Sequence, residues 1–80
     1  MLTKQDLGSL IVNCLKQNNG KATIIEVSKY IWENYEDKLR SSGNLFYTWQ
    51  YDYRWQATEL RKQGILKDST ISPSGVWELA

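Results

Sequence analysis

Residues 47–64 read YTWQYDYRWQATELRKQG, and two incompatible structures compete for them. Tyr47, Trp49, Tyr51, Tyr53 and Trp55 alternate with other residues, the period of a β-strand carrying all its rings on one side. Rings arrayed on a sheet grip single-stranded nucleic acid by stacking, so the strand reading brings a function of its own. On a helix, at about 100° per residue, Trp49, Tyr53, Ala57 and Leu60 share one face instead. Gln50, Arg54, Thr58 and Arg61 lie around the next sector, with Tyr51, Trp55 and Lys62 beyond them. The alternation stops at Trp55, whereas Ala57 and Leu60 continue the helical spacing. Residues 59–63 are strong helix formers and Gly64 is placed as a C-cap. A helix over residues 48–63 is therefore expected, with the strand as its rival. Tyr51 and Trp55 then lie off the core face. Packing against the following hairpin or the first helix is the bland account of them, and a role in a binding surface the sharper one.

Downstream of Gly64, I-L-K-D at 65–68 and V-W-E-L at 76–79 read as two short strands, with Ile65 and Trp77 facing inward. The loop between them, S-T-I-S-P-S-G, is too long for a tight two-residue turn and suits an exposed tip. Upstream, Thr3 and Asp6 form an approximate capping box ahead of the stripe Leu7, Leu10, Ile11, Cys14 and Leu15, which ends at Asn18-Asn19-Gly20. Thr23 and Glu26 make a cleaner capping box. Ile24, Val27, Ile31, Tyr35 and Leu39 then mark a second helix, flanked by Trp32 with Tyr30 pointing off the stripe. The G-K-A-T segment at 20–23 could add a short strand to the later hairpin. Glu33, Glu36 and Asp37, with Lys38 and Arg40, look like a solvated face that would repel a polyanion. Ser41-Ser42-Gly43-Asn44 is a loop by composition.

The 80 residues make one small domain, 1–80, in which four Trp and five Tyr help a limited core to pack. A single cysteine, Cys14, leaves no intramolecular disulfide, and its place on the first stripe marks it as a buried structural residue. With no histidine, a Cys/His zinc site and nucleophile–His catalysis both fall away. No carboxylate pair, phosphate loop or metal-ligand spacing stands out, so no enzyme activity, cofactor, metal or small-molecule substrate is expected. Neither a signal peptide nor a membrane span of about 20 apolar residues is visible, and a cytoplasmic location is expected. The net charge of +1 is low for a nucleic-acid binder, which leaves the distribution of charge to decide.

Three helices followed by a C-terminal β-hairpin, with a short strand between helices 1 and 2, is the order of an α+β winged helix-turn-helix. The spacing R-W-x4-L-R-K-x-G-I-L, followed by G-V-W-E-L, resembles the N-terminal winged-helix domain of Mrr-type restriction endonucleases. The matching positions are Arg54, Trp55, Leu60, Gly64, Ile65, Leu66, Gly75, Val76 and Trp77, and the segment from 20 to 31 fits the turn and second helix. Gln56 stands where the pattern has an alanine directly after the tryptophan, and Ala57 follows one position later. The nuclease domain and its metal-dependent motif have no counterpart, so the resemblance implies DNA recognition without cleavage.

The leading expectation is a module that binds double-stranded DNA through its third helix and wing. Gln50, Arg54, Thr58 and Arg61 would meet base edges and phosphates, Lys62 and Lys67 would sit near the base of the wing, and Ser69, Thr70, Ser72 and Ser74 would bond the backbone. Asp52 and Glu59 on the same helix, and a wing tip without Lys or Arg, count against it. One alternative is a winged helix that serves protein contacts, as a homodimer or with another partner, in keeping with near-neutral charge and surplus aromatics. The other is the single-strand binder that the aromatic alternation would make.

Overall fold

The computed structural model describes residues 1–80, which fold as α1 (Lys4–Gln17), β1 (Lys21–Thr23), α2 (Ile24–Arg40), α3 (Leu45–Lys62) and β2 (Val76–Glu78). Three helices pack with a two-stranded antiparallel sheet, an α+β arrangement. The stretch at 47–55 is helical, which overturns the strand reading and the single-strand platform built on it. The physical reason is the core that the helical phase supplies. Trp49, Tyr53, Ala57 and Leu60 are all buried, whereas a strand would have put Trp49 and Tyr53 on the same side as Tyr47, Tyr51 and Trp55.

Both capping boxes form. Thr3 Oγ1 accepts from the Asp6 amide at 3.3 Å while Asp6 Oδ2 accepts from the Thr3 amide at 2.8 Å. Thr23 and Glu26 repeat the exchange at 3.1 and 2.9 Å. Each satisfies amides that a helix start leaves without intrahelical partners. α3 has no side-chain cap and begins at Leu45, earlier than its expected start, because buried Leu45 is drawn into the core from the first turn. Its end is a Schellman motif. Gly64, at φ 77°, lets the Ile65 amide reach the Leu60 carbonyl at 2.9 Å and the Gly64 amide reach that of Arg61 at 3.0 Å.

That turn also sets the phase of residues 65–68. Ile65 was expected inward, but it is 38% exposed and Leu66 is 3% exposed. Having spent its amide on the helix end, Ile65 points outward, and the next residue, Leu66, bridges Leu79. Residues 65–68 thus contribute a single bridge, with the Lys67 amide on the Glu78 carbonyl at 2.8 Å, rather than a full strand. The expected short strand between the first two helices is present: β1 pairs with β2 in the register Lys21↔Glu78, Ala22↔Trp77, Thr23↔Val76. Ala22 and Trp77 are directly opposed and both face the core.

α1 buries Leu7, Leu10, Ile11, Cys14 and Leu15, as its stripe predicts, chiefly against α3. Gly8 makes the close approach between them, since a Cβ there would lie 3.1 Å from Gln56 Oε1. The missing side chain on α1 leaves room for the Gln56 side chain of α3. α2 contributes Val27, Ile31 and Leu39, and breaks its helical geometry at Tyr35 (φ −131°, ψ 17°). A stripe stepping four residues at a time drifts by about 40° per step on a straight helix, and the break lets Leu39 turn back to the core. Trp32 of α2 stacks on Trp49 of α3 with centroids 6.0 Å apart and planes 8° apart, while Tyr53 meets Trp77 edge-on at 5.6 Å. Burial raises the Cys14 thiol pKa above its ordinary value, with the Glu26 charge adding to the effect and the Asn18 amide opposing it. Cys14 is a buried, free thiol.

Candidate nucleic-acid interface

α3 turns one face to α1, α2 and the sheet, and the other to solvent. On the solvent side Tyr47, Tyr51 and Trp55 succeed one another every fourth residue and are 81%, 64% and 53% exposed. Tyr51 and Trp55 contact edge-to-face at 6.0 Å. They therefore form an open aromatic ridge; the expectation that they pack away on the hairpin or the first helix is not met. The inner positions are already filled by Trp49, Tyr53 and Ala57, and no second layer covers the outer ones.

Gln50 and Arg54 are exposed beside that ridge. They line a shallow cleft of about 410 Å³ together with Tyr51 and Tyr53 of α3 and Ile24, Ile25, Ser28 and Lys29 from the first turns of α2. Thr58 is half-buried and shares a neighbouring hollow with Tyr51, Arg54 and Trp55. Its hydroxyl donates to the Arg54 carbonyl at 3.4 Å. Gln50, Arg54 and Thr58 are thus brought together on one surface.

The remaining expected contacts are differently engaged. Arg61 is half-buried and lies near Asp68. The Asp68 carboxyl is held below its usual pKa mainly by hydrogen bonds from the Thr70 amide and hydroxyl, with Arg61 adding a smaller electrostatic pull. Lys62 pairs with Glu59 at 3.5 Å, and Lys67 pairs with Glu78 at 3.5 Å. Ser74 is exposed in the loop, whereas Ser72 is half-buried and its hydroxyl has no hydrogen-bond partner. The loop at 69–75 carries no Lys or Arg, and Ile71 is its exposed apolar side chain.

Charge on α3 is sorted by the fold. Asp52, which counted against an anionic ligand, is only 6% exposed and points to the base of α1. There it accepts from Thr48 Oγ1 at 2.7 Å and lies 3.9 Å from Lys4 Nζ. Glu59 is occupied by Lys62. Arg54 has no carboxylate partner, so the solvent face of α3 is left with an unpaired cation and no unpaired carboxylate. Lys29 escaped the sequence reading; the signal was present in the capping box, which fixes the start of α2, but not in anything that says which helix lies opposite. No group of three or more acidic or cysteine side chains gathers in metal-binding proximity, and no helix is long and apolar enough to cross a membrane. Searches against protein-family models, curated proteins and solved structures find no match to this chain.

Proposed function

We propose that this chain is a winged helix that binds double-stranded DNA, with α3 entering the major groove and residues 66–79 forming a short wing beside it. The burial of Asp52 carries the reading: it withdraws one of the two carboxylates on α3 that would oppose phosphate, the other, Glu59, being paired with Lys62, and leaves Arg54 free on the outer side. The order of elements, with β1 placed between α1 and α2 and paired to the C-terminal strand, is consistent with a winged helix. The likeness of residues 54–77 to the Mrr-type N-terminal domain points to the same kind of module, a reader of DNA. Arg54 and Gln50 would address base edges and phosphates, with Thr58 at the margin and Arg61 further along the same helix. Lys62 and Lys67 each stand beside a carboxylate, which offsets part of the positive potential they would offer a phosphate.

Anisotropy titrations of a fluorescent duplex over a range of salt test this reading. Binding that weakens steeply with salt is expected, and absence of duplex binding at low salt would reject it. The exposed ridge of Tyr47, Tyr51 and Trp55 favours a second reading, a protein-contact surface, since Tyr, Trp and Arg are the residues that dominate interface energetics. Sedimentation analysis separates the two: concentration-dependent self-association abolished by Tyr51→Ser with Trp55→Ser, without any duplex affinity, would favour the second.

A further inference from the structure

Ten side chains carry positive charge, and most are already spoken for. Lys4, Arg40, Lys62 and Lys67 pair with carboxylates. Lys38 lies over the Tyr35 ring, and Arg61 lies near Asp68. Lys16 and Lys21 stand apart at the end of α1 and on β1. Lys29, which feels only the Glu26 charge from beyond ion-pairing distance, and Arg54 come from different helices and line the same cleft. Neither has a carboxylate within ion-pairing distance.

From this arrangement we infer that the cleft between the start of α2 and the middle of α3 is a binding site for a phosphate oxyanion, held by Lys29 and Arg54. Gln50 and Ser28 on its walls add hydrogen-bond donors, and Arg supplies the planar fork that matches an oxyanion while Lys supplies a point charge. Two carboxylates are near enough to matter. Glu26, one turn before Lys29, is near enough to feel its charge, but the carboxylate is turned back onto the Thr23 amide at 2.9 Å and lines a different hollow. Glu33 shares a neighbouring hollow with Lys29 but makes no ion pair with it. Ile25, an exposed side chain of the same lining, adds an apolar contact but no opposing charge.

This inference rests on the DNA-binding proposal for one source of the oxyanion, the phosphodiester backbone; a free phosphate or pyrophosphate is the other. The intact chain and the variants Lys29→Ala and Lys16→Ala are compared, the second removing the same charge far from the cleft. In duplex titrations, Lys29→Ala should weaken binding severalfold and lower the salt slope by about one, with Lys16→Ala leaving the slope unchanged. In parallel, pyrophosphate is titrated at constant ionic strength while backbone amide shifts are recorded, and shifts clustered at Ser28, Lys29, Gln50 and Arg54 are expected. Clustered shifts that disappear in Lys29→Ala support the site even if no duplex binds, and in that case it is the DNA reading that fails. Equal salt slopes for the two variants, together with diffuse pyrophosphate shifts, overturn the site. Unchanged melting temperatures in both variants confirm that folding is not what is being read.

Discussion

The two sides of α3 are built from nearly the same residue types and have opposite fates. Trp49 and Tyr53 lie inside, stacked on Trp32 and edge-on to Trp77; Tyr51 and Trp55, two residues further along in each case, lie outside on the exposed ridge, edge-to-face with each other. The difference is purely one of phase. A helix rotates successive alternate residues to opposite sides, so an alternation that looks like one aromatic face in the sequence is split in two by the fold. Rings inside hold the domain together, whereas rings outside contribute little to folding and are available to a partner.

Variants can break or sharpen that contrast. Trp49→Ala should have the largest effect, a loss of about 3–5 kcal/mol measured by urea unfolding, because it empties the stack with Trp32; a wild-type unfolding curve would show that the inner side is misassigned. Next comes Asp52→Ala, which removes a charged acceptor from Thr48 and should cost about 1.5 kcal/mol in the same measurement. If Asp52 were instead a solvated charge on the outer side, stability would not change and duplex affinity would rise. Arg54→Ala combined with Arg61→Ala should reduce duplex affinity about tenfold, with a shallower salt slope and a nearly unchanged melting temperature. Equal affinity would remove those side chains from the interface.

Two smaller effects bear on the same contrast. The carboxyl of Glu26 sits below its usual pKa because it accepts the Thr23 amide, aided by the Thr23 hydroxyl. A depressed folded-state pKa means that its stabilisation is present above the unfolded value and is lost as pH falls through the folded one. Glu26→Gln should therefore lower the melting temperature slightly at neutral pH, with the gap to wild type closing in acid; a gap that persists at low pH would place the effect elsewhere. Last, Tyr51→Ser with Trp55→Ser should change folding stability by no more than about 0.5 kcal/mol. A larger loss would mean that the ridge is part of the core after all.

Local features were the legible ones. The capping boxes at Thr3 and Thr23 involve groups three residues apart, and the stripes on α1 and α2 repeat within a few turns, so each could be read without knowing what lay opposite. The inner face of α3 was legible once Ala57 and Leu60 were weighed against the alternation. Ile65 and Leu66 were not, because their phase depends on a helix-end turn and on Leu79 across the bridge. Among the expected contacts, Gln50, Arg54 and Thr58 do share a surface, while the engagement of Lys62 and Lys67 in ion pairs depends on rotamers and, for Lys67, on a strand eleven residues away.

By itself, the sequence determined where α1 and α2 begin, which residues form the apolar stripes, that Cys14 is a core residue, and that a short segment could join the C-terminal strand. These properties arise from backbone hydrogen-bonding needs and periodicity, both of which act over a few residues. Only the tertiary structure decided that Asp52 turns away from solvent toward Lys4, that Gly8 yields its space to Gln56, and that Lys29 and Arg54 share one cleft. Each of those depends on which helix surface meets which, and long-range packing rather than local preference makes that choice.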